Sequence, residues 1–278
     1  REATPGAASF QAAAPHAVSA DPPPLEILYR DDALVAVAKP SGLLVHRTTL
    51  DPREHVNAVR LLRDQLGRYV YPAHRLDRGT SGVLVFALDP AVLPALTAAF
   101  EDRDVAKTYL GVVRGWPPVA GTIDAPLARI VDDYDERPAA PDAAAQSAET
   151  RHRTLATVEL PVRVDRYPTS RYALLELQPS TGRRHQLRRH LRHAGHPLVG
   201  DTTYGQGRHN RLFRERYGCH RLLLAAVELE LIHPTTGAAL RLRAPLAPDF
   251  AAVVAALGWR DAVPRHWWPE RTAADALG

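Results

Sequence analysis

The segment between Tyr71 and Val85, YPAHRLDRGTSGVLV, concentrates polar side chains between two apolar runs. Its carboxylate, Asp77, lies between two arginines, Arg75 and Arg78. Nearby positive charge favours the ionised form of a carboxylate, and an ionised carboxylate can act as a nucleophile or as a general base. Asp77 is therefore the first candidate for a catalytic residue. A surface ion pair is the alternative, because such pairs are common and contribute little.

A second group of candidates lies in the arginine-rich stretch 181–194. Arg184, Arg188 and Arg192 recur every four residues, which predicts a basic stripe along a helix over this stretch. The N-terminus of such a helix suits a phosphate group. A solvated helix face without a ligand is the alternative. The predicted apolar face of this helix consists of Leu187, Leu191 and Ala194.

Positive charge is concentrated in one part of the chain. The formal net charge is only +4, with a sequence pI of about 9.4. Residues 151–220, however, contain 14 arginines, no lysine and five acidic residues. This local excess indicates a polyanionic partner, nucleic acid first, and a guanidinium suits phosphate because its planar fork can bind two oxygens. A solvated basic face with no partner is the alternative.

Several other side chains are weaker candidates. Trp267 and Trp268 could stack on bases or pack against the domain. Cys219 is the single cysteine, which excludes an intrachain disulfide and a zinc site built from several cysteines. A group of histidines could suggest a metal, but neighbouring arginines would repel a cation and no carboxylate or thiol completes a zinc pattern. These histidines are His185, His190, His193 and His196.

The chain of 278 residues is long enough for a sizeable core. It contains neither an apolar run of membrane-spanning length nor a secretory signal, so we expect a cytoplasmic protein. We predict a flexible Ala- and Pro-rich tail over 1–24, one catalytic domain over 25–262 and a C-terminal tail over 263–278. Within the domain, residues 131–150 are predicted to form an acidic surface insertion.

Apolar patterns and turn residues predict an α+β domain built on a mixed, mostly antiparallel sheet. Helical spacing predicts helices over 57–66, 89–100 and 181–194. The first of these ends at Gly67. The predicted strands cover 27–29, 34–38, 83–87, 107–114, 155–160, 172–178, 222–231 and 239–243.

Four blocks of sequence resemble the RluA-type pseudouridine synthases. HRLDRGTSG at 74–82 is similar to the signature HRLDxxTSG of that family. AKPSGLLVH at 38–46 resembles its first motif, KTYLGVVRG at 107–115 its tyrosine-bearing strand, and TGRRHQLRRHL at 181–191 its arginine-bearing helix. The blocks follow in the family's order over about residues 25–260. The resemblance implies the pseudouridine synthase fold, with a sheet flanked by helices and a central RNA-binding cleft.

The resemblance also implies an isomerase that converts a uridine of RNA to pseudouridine without a metal or any other cofactor. Asp77 would be the essential carboxylate, which either attacks C1′ of the ribose or removes a proton from C2′. Arg188 would pair with Asp77, and Tyr109, which by itself reads as a core residue, would stack on the uracil and assist loss of the C5 proton. Arg75 would fill the place of the extruded base or hold the flipped nucleotide. Lys39 is expected to be structural or to face RNA. The predicted substrate contacts are Arg75, His74, Arg78, Lys39, Arg183, His185 and Arg184.

Two longer segments, 166–191 and 208–218, resemble a subgroup that modifies tRNA and lacks an N-terminal S4 domain. This favours tRNA as the partner, at position 65, and we expect a monomer with no protein partner and no membrane association. Ala225 departs from the subgroup, which usually carries histidine there. The same reaction on ribosomal RNA, and a non-catalytic RNA-binding protein, are the alternatives.

Overall fold

A computed structural model of the protein describes residues 23–46, 56–130 and 144–269. Its helices are α1 (Ala58–Leu66), α2 (Leu93–Glu101), α3 (Gln186–His193), α4 (Gly207–Tyr217) and α5 (Pro248–Ala256). Its strands are β1 (Glu26–Arg30), β2 (Leu34–Lys39), β3 (Tyr71–Pro72), β4 (Ser81–Ala87), β5 (Ala106–Arg114), β6 (Ala120–Asp124), β7 (Glu149–Leu160), β8 (Ser170–Pro179), β9 (Leu224–Ile232) and β10 (Ala239–Arg243). Within the described ranges no helix is both long and apolar enough to cross a membrane.

All ten strands belong to one sheet, in the order β1-β2-β4-β9-β5-β8-β7-β6, with β3 paired to β4 and β10 paired to β9. Every pairing is antiparallel except that of β4 with β9. The predicted α+β class with a mixed, mostly antiparallel sheet is thus confirmed. The parallel pairing of β4 with β9 joins the two halves of the sheet, and it lies at the start of β4, directly after Asp77 and its turn.

The last glycine of the HRLDRGTSG motif is explained by this junction. Gly82 pairs with Ala226 of β9 and has a φ of 116°. A Cβ atom at Gly82 would lie 2.0 Å from the carbonyl oxygen of Ala226. Only glycine permits both this backbone conformation and this approach. The motif therefore fixes where the two half-sheets meet, and it places the Asp77 turn at their junction.

Helices cover both faces of the sheet. On β8, Tyr172 and Leu174 belong to a core that includes residues of α4 and α5, whereas Leu175 belongs to the core formed with α3. This alternation follows from the two-residue period of a strand. Leu187 and Leu191 supply the buried face of α3. The predicted apolar face was wrong at Ala194, which is exposed.

The helix boundaries show where local signals are sufficient. Helix α1 begins and ends as predicted, because the Asn57 side chain accepts a hydrogen bond from the Arg60 amide and Gly67 is left-handed. The second helix begins at Leu93 rather than Asp89, since the Asp89 carboxylate accepts from the Ala91 amide in a turn. The third begins at Gln186, not at 181.

Two predicted domain boundaries were also wrong. The segment 131–150 cannot all be an insertion, because Gln146 forms a β-bridge with Leu127 and β7 begins at Glu149. At the C-terminus, Trp267 is buried and its carbonyl accepts from the Leu246 amide, so the fold continues past 262. Trp267 thus packs against the domain. Outside the described residues lie residues 1–22 of the tail predicted over 1–24, residues 131–143 of the predicted insertion and residues 270–278.

Candidate active site

A cavity of about 610 Å³ opens where the Asp77 turn, β5 and the start of α3 meet. This volume suits a nucleotide-sized ligand. Seven of the ten predicted site residues line the cavity, although they come from three distant parts of the chain. They are His74, Arg75, Asp77, Tyr109, Arg183, His185 and Arg188.

Asp77 is paired with Arg188, a residue 111 positions away in the chain. Nη1 of Arg188 donates to Oδ2 of Asp77 at 3.2 Å. The other carboxylate oxygen, Oδ1, lies 3.8 Å from Nε2 of His185. The structure therefore makes the Asp77 ion pair with α3, as the resemblance implied, whereas the sequence neighbour Arg78 donates from Nε to the carbonyl oxygen of Gly42.

Arg188 is itself held by a second carboxylate, that of Asp201. Its Nε donates to Oδ2 of Asp201 at 2.7 Å and its Nη2 to Oδ1 at 3.0 Å, a bidentate pair. The guanidinium carbon also lies 5.0 Å from the ring centre of Tyr204. Bidentate pairing and stacking fix the plane of a guanidinium. Arg188 thus presents one N–H donor, from Nη1, to Asp77.

Asp201 was missed by the sequence analysis. It is 2% exposed, and its Oδ1 also accepts from the amides of Thr203 and Tyr204. Burial acts to raise the pKa of Asp201, but the Arg188 guanidinium and these amides outweigh it and lower that pKa. One sequence signal could have pointed to it: Asp201 is the only acidic residue of the segment VGDTTYG, and it directly follows Gly200.

Of the three arginines in the predicted basic stripe on α3, only Arg188 is buried. The side chain of Arg188 is 10% exposed and pairs with two carboxylates. Arg184 precedes the helix, and Arg192, which is exposed, donates to the carbonyl oxygen of Tyr204. Hence only Arg188 of the three lies at the cavity.

The start of α3 is shaped by side-chain hydrogen bonds. His185 adopts a left-handed conformation with a φ of 55°, which ends the turn that begins at Thr181. Oε1 of Gln186 accepts from the Thr181 hydroxyl and from the Arg183 amide, while Nε2 donates to the Glu149 carbonyl oxygen. These contacts delay the helix and turn residues 181–185 toward the cavity.

Tyr109 lies on β5 beside the cavity. Burial, together with the negative charge of Asp77, raises the pKa of Tyr109 well above its ordinary value. The phenol therefore stays protonated and neutral, which suits stacking on a base and donating a hydrogen bond. For His185, burial lowers the pKa, so the imidazole beside Asp77 is neutral at pH 7.

The first motif, AKPSG, clamps the Asp77 turn. The turn is closed by the Thr80 amide, which donates to the Asp77 carbonyl oxygen at 3.0 Å. The Gly42 amide donates to the Arg78 carbonyl oxygen at 2.8 Å. Ser41 Oγ donates to the Gly79 carbonyl oxygen at 2.7 Å. The two motifs are thus one structural unit, although they are separated in sequence.

Lys39 completes this clamp, and its contacts favour the structural alternative for this residue over the predicted contact with substrate. The side chain is 1% exposed, and Nζ donates to the carbonyl oxygens of Pro40 at 2.9 Å, Leu43 at 2.8 Å and Arg78 at 3.2 Å. Burial, with Arg221 nearby, lowers the pKa of Lys39 to about 7, whereas three carbonyl acceptors favour its charged form. Lys39 is a structural donor beneath the Asp77 turn.

We expect Lys39→Met to lower the free energy of unfolding by about 3 kcal/mol, because three carbonyl oxygens lose their hydrogen bonds to a buried ammonium group. Urea unfolding measures the change. Lys107→Met is the matched control, since Lys107 is the other lysine of the chain and lines the cavity. Equal stability losses in the two variants would contradict the role assigned to Lys39.

His74 supports the loop from below. Its Nε2 accepts from the Val85 amide at 3.1 Å, and its ring stacks on Phe100 with centroids 4.2 Å apart. An accepting Nε2 belongs to a neutral imidazole with its proton on Nδ1. Burial lowers the pKa of His74 to about 3. His74 therefore ties the HRLD segment to β4, and its predicted contact with substrate is limited to lining the cavity.

The low pKa of His74 predicts acid-sensitive stability. In the unfolded chain the imidazole binds a proton near pH 6.5, whereas the folded protein excludes it down to about pH 3. The contribution of the neutral His74 to the free energy of unfolding is therefore fully present above pH 6.5 and is lost as the pH falls below 6.5. Between about pH 7.5 and pH 5 this group contributes a loss of about 2 kcal/mol. In His74→Gln that part of the pH dependence should vanish in urea unfolding; an unchanged pH dependence would contradict the assignment.

The four remaining predicted substrate contacts differ in whether they line the cavity. Arg75 and Arg183 line the cavity, and Arg183 donates from Nε to the Ser147 carbonyl oxygen. Arg78 and Arg184 are not among its lining residues. Ala225, the departure from the subgroup, pairs with Ser81 at the sheet junction and is buried in the core.

Comparison with known proteins agrees with this geometry. Residues 33–193 match the profile of the family described as RNA pseudouridylate synthase. The tRNA pseudouridine synthase C of Vibrio cholerae serotype O1 is 48% identical over 239 residues, which cover 86% of this chain and 98% of that protein. The Salmonella typhi protein of the same name is 47% identical over 250 residues, covering 90% of this chain and 96% of that protein.

Solved structures give the same fold. The human RNA pseudouridylate synthase domain containing 4 has a TM-score of 0.63 and 29% identity, over 84% of this chain and 93% of that one. The human RNA pseudouridylate synthase domain containing 1 has a TM-score of 0.62 and 26% identity, over 82% of this chain and 86% of that one. Together with the HRLD turn, its arginine partner and the tyrosine strand around one cavity, these matches show that the chain belongs to the RNA pseudouridylate synthase family.

Proposed function

We propose that the protein isomerises a uridine of tRNA, at position 65, to pseudouridine and that Asp77 is the catalytic carboxylate. The observation that supports this most strongly is the chain of contacts Asp77–Arg188–Asp201 at a cavity that Tyr109 also lines. The choice of tRNA rests on relatives named tRNA pseudouridine synthase C that are nearly half identical over most of the chain. A cytoplasmic monomer remains our expectation.

The reaction rearranges bonds without net gain or loss of atoms. The bond between N1 of uracil and C1′ of ribose breaks, the uracil turns within the cavity, and C5 bonds to C1′. The proton on C5 is lost and N1 regains one. Asp77 either attacks C1′ or takes a proton from C2′; both routes need an ionised carboxylate. Because Arg188 presents a single donor to Oδ2, Oδ1 of Asp77 is left for the substrate.

The neighbouring side chains bind the reacting nucleotide. A uridine inside a helix cannot turn in place, so it must leave the stack at a cost of a few kcal/mol. Arg75 and Arg183 at the cavity would offset this cost through phosphate contacts, and binding should weaken steeply with salt. The neutral phenol of Tyr109 would stack on the uracil while it turns. Its raised pKa favours stacking and hydrogen-bond donation over removal of the C5 proton.

The test uses unmodified tRNA transcripts that carry tritium at C5 of uracil, because C5 loses its hydrogen only if the new bond forms. Transcripts of ribosomal RNA serve as the second substrate, and carbodiimide treatment with primer extension maps the product. Release from tRNA, at one uridine, is the expected result. Release only from ribosomal RNA would overturn the choice of substrate. Release from neither would favour a non-catalytic RNA-binding protein.

A further inference from the structure

A second cavity, of about 570 Å³, lies at the other end of α3 and β5. The first cavity is lined by Tyr109 of β5 and by His185 at the start of α3, whereas the second is lined by Arg114 of β5 and by His196, just after α3. Tyr109 and Arg114 are separated by about 16 Å along an extended strand. The catalytic residues therefore do not account for the second cavity.

Its floor is a chain of hydrogen bonds between side chains. The Tyr172 hydroxyl donates to Nδ1 of His209 at 2.7 Å, and Nε2 of His209 donates to Oδ2 of Asp165 at 3.0 Å. Arg114 donates to the same oxygen of Asp165 at 3.2 Å. Tyr172 and His209 are both buried. These hydrogen bonds connect the loop 161–169 to β5, β8 and α4. The surface formed by this loop is therefore ordered before any ligand binds.

Above this floor, two aromatic side chains are exposed and each is stacked with an arginine. Trp116 is 41% exposed, with the Arg171 guanidinium 4.3 Å from its ring centre. Tyr167 is 54% exposed, with the Arg166 guanidinium 4.7 Å from its ring centre. Exposed aromatic rings among arginines are the means by which proteins stack unpaired bases and contact phosphates.

The charge of this surface has the sign that RNA requires. Its basic side chains are Arg114, Arg163, Arg166, Arg171 and Arg208, against the acids Glu159 and Asp165. Asp165 already accepts from His209 and Arg114 and lies 3.7 Å from Arg208. The excess of arginines over acids leaves net positive charge beside the two aromatic rings.

We propose that this surface, which we call the Trp116–Tyr167 surface, is a second RNA-contact site that binds the body of the same RNA whose uridine enters the Asp77 cavity. The proposal rests on the proposed function for the identity of that RNA. Tyr167 and Trp116 offer stacking faces for an unpaired base, and Arg166 and Arg171 offer phosphate contacts. Because the two cavities are about 16 Å apart along β5, an RNA stem must extend several base pairs beyond the target uridine to reach this surface. A short hairpin around the target uridine would therefore fill the catalytic cavity without reaching this surface.

The test compares Kd values for a full tRNA transcript and for a short hairpin that contains the target uridine. The double variant Tyr167→Ala with Arg171→Ala is made in an Asp77→Asn background, so that binding is measured without turnover. Arg241→Ala is the matched control. Arg241 lies on β10, is 55% exposed and pairs with Glu230, just as Arg171 is 54% exposed and pairs with Glu159.

We expect the double variant to weaken tRNA binding about tenfold or more and to lower the salt slope by about one. The Kd for the hairpin should stay within about twofold of the parent value, and Arg241→Ala should change neither Kd by more than that. Unchanged tRNA binding, or equal losses for tRNA and hairpin, would overturn the proposal. Because only binding is measured, this result stands apart from whether the wild-type protein releases tritium.

Discussion

Asp77→Asn is expected to reduce tritium release from tRNA by more than about 10³-fold while the Kd for tRNA stays within about threefold of wild type. The amide has the shape of the carboxylate and its oxygen can still accept from Nη1 of Arg188. It can neither attack C1′ nor remove a proton from C2′. Single-turnover tritium release and filter binding measure the two quantities.

The matched control is Glu101→Gln, because Glu101 is another carboxylate that lines the same cavity. It tests whether the effect belongs to Asp77 or to any loss of negative charge there. Near wild-type turnover by Asp77→Asn would rule out Asp77 as the catalytic residue. An equally large loss in Glu101→Gln would show that cavity charge, rather than one positioned carboxylate, supports the reaction.

Asp201→Asn is expected to lower kcat about 10²-fold or more, although Asp201 does not line the catalytic cavity. Asparagine at this position replaces one of the two acceptor oxygens by an N–H₂ donor, so the bidentate pair with Arg188 is lost. Arg188 can then rotate and place a second N–H on Asp77, which would block the oxygen that the substrate needs. Asp201 is thus a positioning residue for the Asp77–Arg188 pair.

Stability must be measured beside activity, because breaking a buried ion pair costs about 3–5 kcal/mol. Arg188→Lys provides the comparison, since it keeps the charge but loses the fork that Asp201 holds. If Asp201 acts through Arg188, the double variant should lose little more activity than Arg188→Lys alone. Activity losses that simply add, or an unchanged kcat in a destabilised but folded Asp201→Asn, would make Asp201 a purely structural residue.

The sequence predicted those features that depend on local physics. Helix α1 is bounded by Asn57 and Gly67, whose capping roles can be predicted from the few residues around them. The buried strand at 83–87 follows from its apolar run. The pairing of Asp77 with Arg188 came from the family resemblance, because nothing local connects residues that lie 111 positions apart.

The errors arose where distant contacts override local signals. The choice between a structural and an RNA-facing Lys39 depended on three carbonyl acceptors beneath the turn, which the neighbouring residues in sequence do not reveal. The start of α3 was placed too early because the Gln186 side chain, bonded to Thr181 and Glu149, holds the preceding residues in a turn. Asp201 was counted only as one acid within a basic stretch, and a sum of charges cannot show that it holds Arg188.

The most direct test of the central claim follows tritium release from two tRNA transcripts labelled at C5 of uracil. One has the native sequence, and the other has cytidine at position 65 with a compensating change in its pairing partner. We expect wild type to release one equivalent of tritium from the native transcript and none from the altered one. Asp77→Asn should release no tritium from either transcript. Release from both transcripts would contradict the assigned position, and no release from either would contradict the assigned reaction.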